Sequence, residues 1–130
     1  MNNAMTPAET VKRFLDIVMK KDYGKGLALV APDVEYDNVP IGKVAGPEGI
    51  RAVLEPFFEP TITNEYKVIR ELTNGETVIL ERLDRHLLES GWVELPVTGI
   101  FEVKGGKIAL WRDYFDAPTL ITKWPVGPAA

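Results

Sequence analysis

Three short segments bring oxygen and nitrogen side chains together at strand spacing. In Ile79-Leu80-Glu81-Arg82-Leu83-Asp84-Arg85-His86, alternation puts Leu80, Arg82, Asp84 and His86 on one face and Glu81, Leu83 and Arg85 on the other. Neither face is uniformly apolar. Turned inward, Arg82 and Asp84 make a buried ion pair, which is expensive to desolvate and is therefore a mark of function. Turned outward, they make a solvated cross-strand pair, and the segment taken alone favours that plainer account. In Ala109-Leu110-Trp111-Arg112-Asp113-Tyr114-Phe115-Asp116, one face holds Trp111, Asp113 and Phe115, and the other holds Arg112, Tyr114 and Asp116. A carboxylate between aromatic neighbours in a half-buried strand is poorly explained by solvation, whereas Asp116 keeps polar company at the strand end. Asp113 is the reactive candidate, set against the alternative of a structural aspartate bonded to backbone. In Tyr36-Asp37-Asn38 a phenol and an amide stand two residues apart on one face. Such neutral groups can hold a water without competing for its proton. A tyrosine and an asparagine before Pro40 equally suit a turn.

Other chemistries lack material. The chain has no cysteine and a single histidine, which excludes disulfides, thiolate catalysis and cysteine-bound zinc and leaves little for a transition-metal site. His86 itself is expected to be a satisfied partner on its strand, not a ligand or a base. No Ser/His/Asp arrangement or calcium loop is present, and Gly42 to Gly49 has neither the lysine nor the spacing of a nucleotide loop. The expected chemistry needs no metal and no cofactor. A net charge of −4 without a lysine and arginine cluster argues against nucleic acid as a partner. No stretch reaches the roughly 18 apolar residues of a membrane span, and Met1 to Thr6 is polar and unlike a signal peptide. A cytoplasmic protein is expected.

The elements that must position these residues are legible in outline. The 130 residues suit one domain, with a core over about 6–116 and a tail over 117–130, long enough to bury roughly two thirds of the unfolded surface. Thr6-Pro7-Ala8-Glu9 announces a first helix over about 7–20, with Val11, Phe14, Leu15 and Val18 at helical spacing. Asp22 can cap a shorter helix to about Val30, weakened by Gly24 and Gly26. Asp33 to Asn38 alternates as a strand, Pro40 to Gly46 reads as a loop, and Pro47 opens a third helix to about Phe58, stopped by Pro60. Strands then follow over Glu65 to Leu72, Val78 to Leu88, Trp92 to Val103 and Lys107 to Phe115, with turns at Asn74-Gly75, near Ser90-Gly91 and at Gly105-Gly106. Gly99 is expected to help a strand bend. Helices first and a meander afterwards predict an α+β fold, with a curved mixed or antiparallel sheet wrapped around the helices as a cone with an internal pocket.

Taken together, the three segments resemble the limonene-1,2-epoxide hydrolase family, which shares a nuclear-transport-factor-like or SnoaL-like cone with ketosteroid isomerases and polyketide cyclases. The resemblance runs from helix one to Phe115. Tyr36-Asp37-Asn38, Glu81-Arg82-Leu83-Asp84 and Trp111 to Asp116 stand in the family's order and at similar separations. It implies that Asp113 is the base, Asp84 the acid, Arg82 the bridge between them, and Tyr36 and Asn38 the water positioners. The substrate it implies is an apolar, terpene- or cycloalkene-like epoxide, opened by water to a vicinal diol without a cofactor, in a homodimer. The alternatives are an isomerase or cyclase of the same cone, in which Asp113 abstracts a proton beside a carbonyl, and a non-catalytic carrier of apolar ligands.

Overall fold

Helix α1 (Pro7–Met19) starts where its cap dictates. The Thr6 hydroxyl accepts a hydrogen bond from the Glu9 N–H at 3.1 Å, and the Glu9 carboxylate accepts one from the Thr6 N–H at 2.8 Å. Such a box satisfies two otherwise orphaned donors and is worth about 1 kcal/mol. Its inner face buries Val11, Phe14, Leu15 and Val18, each of which contributes about 1.5–3 kcal/mol relative to exposure. The structure is a computed structural model and describes residues 5–125.

Helix α2 (Tyr23–Leu27) is shorter than the sequence predicts, and Val30 begins strand β1 (Val30–Asn38) instead of ending the helix. Gly26 serves packing here. A β-carbon at this position would meet Val18 Cγ1 at 2.6 Å, so only glycine lets α2 lie this close to α1. Strand β2 (Gly42–Ala45) occupies the expected loop and pairs antiparallel with β1. It leaves little trace in the sequence because Val44 is its one half-buried residue among exposed neighbours. Helix α3 (Gly46–Phe58) buries Ile50, Leu54 and Phe58.

The remaining strands are β3 (Thr63–Asn74), β4 (Thr77–Leu88), β5 (Gly91–Lys104) and β6 (Lys107–Tyr114), joined in a meander. The sheet order is β2-β1-β6-β5-β4-β3. Its one parallel pair joins β1 to β6, so the sheet is mixed, and it curves around the helices as the α+β cone expected. The main core lies between α1, α3 and the inner faces of β1, β4, β5 and β6, around Phe14, Ile50, Leu80, Phe101 and Trp111. Within the expected tail, a short helix α4 (Ala117–Ile121) is capped by Asp116 and sets Leu120 against Leu95 and Val97. Residues 126–130 of that tail lie outside the described residues.

Candidate active site

Strand β4 keeps an unbroken register with β5, so its parity is simple: Leu80, Arg82, Asp84 and His86 all point inward and are buried. The inward alternative for the Arg82 and Asp84 pair is therefore the correct one, and the solvated account is overturned. Strand β6 is less regular, with a bulge at Ala109 opposite the Glu102/Val103 step. Beyond the bulge, Trp111 and Asp113 turn inward together, while Asp116 is exposed and caps α4. Parallel pairing of β1 with β6 sets Tyr36 beside Trp111 and Asn38 beside Asp113. The side chains of Tyr36, Asn38, Arg82, Asp84 and Asp113 thereby line one cavity of about 340 Å3 between α1, α3 and the sheet.

Arg82 binds a carboxylate along each of two edges of its guanidinium. Nε donates to Asp84 Oδ1 at 2.8 Å and Nη2 to Asp84 Oδ2 at 3.3 Å. Nη2 also donates to Asp113 Oδ2 at 2.8 Å, and Nη1 to Asp113 Oδ1 at 3.2 Å. A fork of this shape is available to arginine and not to lysine. Asp113 Oδ1 further accepts the Trp111 indole N–H at 2.9 Å. The sequence marks Trp111 only as an apolar neighbour, yet its polar edge helps to aim the carboxylate.

Gly99 makes this cluster possible. It faces Leu80 on β4 and Asp113 on β6, and a β-carbon there would sit 2.5 Å from Arg82 Nη1 and 2.7 Å from Asp113 Oδ1. A bend is what the sequence predicts for Gly99; clearance for the guanidinium is what it supplies.

Burial pushes the Asp113 carboxyl above the ordinary carboxylate range. The Asp84 charge adds to this, against the pull of Arg82 and the hydrogen bonds from Arg82 and Trp111. Burial also opposes the charge on Arg82, but Asp113 and Asp84 outweigh it and hold the guanidinium above its usual pKa. Burial, and then the Asp113 charge, raises Tyr36, so its phenol keeps a proton to donate. A hydrogen bond with the Asn38 side chain, which lies beside this hydroxyl, pulls the other way. Tyr36 and Asn38 both line the cavity. Chemically the site offers a carboxylate of raised basicity, a second carboxylate sharing its arginine, and a phenol and an amide free to hold a small polar molecule between them. Among the described residues no group of three histidine, cysteine or acidic side chains is arranged to hold a metal ion.

A model of the limonene-1,2-epoxide hydrolase catalytic domain matches residues 5–126. The chain belongs to this family. Epoxide hydrolase EphG of Mycobacterium tuberculosis is 32% identical over 106 residues, which cover 82% of this chain and 70% of EphG. The solved structure of an M. tuberculosis LEH-like epoxide hydrolase is 29% identical, with a TM-score of 0.76 over 89% of this chain and 86% of that one. A putative SnoaL-like polyketide cyclase from Shewanella denitrificans reaches a TM-score of 0.81 over 90% and 95% of the two chains at 12% identity. That last likeness is one of fold alone.

Two features of this limonene-1,2-epoxide hydrolase family member escape the sequence reading. Lys43 and Gly42 of β2 reach the cavity from a segment expected to be a loop. His86 meets a partner on the neighbouring strand as expected, but which residue it is the sequence does not show: Asn64 of β3, whose Oδ1 lies 2.7 Å from His86 Nδ1. The inward parity of β4 was the available signal, since it extends from Arg82 through Asp84 to His86. Among the described residues no helix is long and apolar enough to cross a membrane.

Proposed function

We propose that this chain opens an apolar epoxide, of the terpene- or cycloalkene-oxide kind, to a vicinal diol by one-step attack of water. The observation that carries the reading is the pair of buried aspartates gripped along two edges of one guanidinium on a cavity wall. Ionised Asp113 takes a proton from a water held by Tyr36 and Asn38. The oxygen of that water bonds to an epoxide carbon as the carbon–oxygen bond of the ring breaks. Protonated Asp84 gives its proton to the leaving oxygen, and ring strain lets both transfers occur in one step. Asp113 then holds the extra proton and Asp84 has lost one, so the cycle closes when a proton returns across Arg82.

An isomerase or cyclase of this fold needs a base and a donor for an enolate. A protonated carboxyl can be that donor, but neither role calls for a guanidinium that bridges the two aspartates. The epoxide reading therefore accounts for more of the site, and the names of the M. tuberculosis matches support it.

The test is a single turnover with enzyme in excess, a cycloalkene oxide and isotopically heavy water. Direct attack places the heavy oxygen in the diol at once, since the entering oxygen never belonged to the protein. An ester route delivers an ordinary carboxylate oxygen first and leaves the heavy atom on Asp113 or Asp84. Unlabelled diol with a heavier aspartate peptide overturns the one-step mechanism, and absence of diol across a panel of terpene and cycloalkene oxides overturns the substrate class.

A further inference from the structure

The cavity wall carries a buried polar group that the acid/base chemistry leaves unused. His86 is only 2% exposed and lies two residues beyond Asp84 on the same face of β4. Its tautomer follows from a chain of hydrogen bonds that begins at a backbone carbonyl. The Thr61 hydroxyl donates to Phe58 O at 2.7 Å, so its oxygen must accept from the Asn64 amide nitrogen at 2.8 Å. The same amide nitrogen donates to Met19 O at 3.2 Å, which fixes the Asn64 orientation and turns its Oδ1 toward the imidazole. A carbonyl oxygen only accepts, so His86 Nδ1 carries the proton and Nε2 carries a lone pair.

Nε2 has no hydrogen-bond partner among the described residues. No fully buried polar atom there lacks a partner, and His86 lines the cavity, so the lone pair opens onto it. The surroundings are apolar. Phe57 and Trp124 stack on each other at 4.2 Å and stand nearly perpendicular to the imidazole, with Leu95, Val97 and Leu120 nearby. Burial, and then the Arg82 charge, lowers the His86 pKa to about 4, so the ring is a neutral acceptor at neutral pH.

We propose that His86 Nε2 is the polar recognition point of this pocket and selects epoxides that carry a hydroxyl group. The inference rests on the epoxide reading above and narrows it to a substrate class. A lone pair calls for a donor, and the apolar walls disfavour the charge of an ammonium, which leaves a neutral O–H. Two residues along a strand separate His86 from Asp84 by about 7 Å. The hydroxyl therefore lies across the molecule from the epoxide oxygen and not next to it.

The experiment compares kcat/KM for an unsubstituted cycloalkene oxide and for the same ring bearing a remote hydroxyl. Asparagine places its amide near the Nδ1 position and glutamine near the Nε2 position, so two variants separate the two edges of the ring. His86→Asn keeps the bond to Asn64 but removes the cavity acceptor, and its preference for the hydroxylated substrate should fall about tenfold from wild type. His86→Gln offers a carbonyl in place of Nε2 and should keep most of that preference. Equal preference in wild type and His86→Asn, or loss in His86→Gln alone, overturns the proposal while diol formation from both substrates leaves the epoxide reading standing. Diol from neither substrate removes the epoxide reading instead.

A second measurement needs no variant, because His86 is the single histidine of the chain. Long-range proton–nitrogen correlation at neutral pH should show the unprotonated nitrogen coupled strongly to both carbon-bound ring protons, as Nε2 is, and a saturated cyclic alcohol should shift that resonance toward a hydrogen-bonded position. A protonated Nε2, or a resonance unmoved by the alcohol at its solubility limit, overturns the acceptor role independently of turnover.

Discussion

Asp113 and Asp116 stand three positions apart, and their surroundings drive their carboxyls in opposite directions. Burial raises Asp113, whereas the Thr119 hydroxyl and then the Thr119 N–H lower the exposed Asp116. If Asp113 is the base proposed above it is active when ionised, so its raised pKa moves the acid limb of kcat/KM to a pH above the ordinary carboxylate range, with activity lost as pH falls through it. Asp113→Asn should abolish turnover, by about a thousandfold or more, and Asp116→Asn should keep most of it. Assay of the two variants across pH checks this, and an essential Asp116 would mean that the reacting face of β6 is misassigned. At this scale much of the site is legible in the sequence, since Asp113 declares itself by its aromatic neighbours. Arg82 and Asp84 do not, because an inward and an outward pair have the same sequence and differ only in which face of β4 the fold buries. His86 is hidden for a related reason: its partner Asn64 comes from another strand, and the register that joins them is a tertiary fact.

At the scale of elements, parity carries the information and bulges hide it. Strand β4 alternates without interruption, so its reading from sequence transfers directly to space. In β6 both Ile108 and Trp111 are buried at odd spacing, which only the extra residue at Ala109 allows. Alternation counted from Ile108 would turn Asp113 outward; alternation counted within the motif does not cross the bulge. Strand β2 is too short and too exposed to show a period at all. Gly99 is visible as a glycine in a strand, but its task is set by what lies above it. Gly99→Ala should displace a guanidinium held by both carboxylates. A shift of this kind is expected to lower kcat by on the order of a hundredfold while costing about 1–3 kcal/mol of stability. Kinetics alongside thermal melting measures both, and a variant with normal kcat would show that the cluster tolerates the displacement.

For the whole molecule, the buried histidine couples folding to acidity. The unfolded ring takes a proton near pH 6.5 and the folded ring near 4, so between these values the unfolded chain binds more protons and stability falls as pH drops. The full loss is on the order of 3 kcal/mol. Chemical denaturation from pH 7 to 4 should show the stability difference between wild type and His86→Gln shrinking by that order, and a difference constant with pH would refute the coupling. The α+β class, the three main helices and the meander are legible from caps, turns and alternation. The parallel closure of β1 on β6 is not, because no local pattern states which edge a last strand will seek. That closure joins Asp37 to Arg112, which are 75 residues apart along the chain. During synthesis Tyr36 and Asn38 emerge early, yet Asp113 reaches them only after β3, β4 and β5 have been made. On the mechanism proposed above, a nascent chain halted before β6 holds both water-binding groups and the arginine but no base, so activity would be acquired in one event, when the final strand docks against the first.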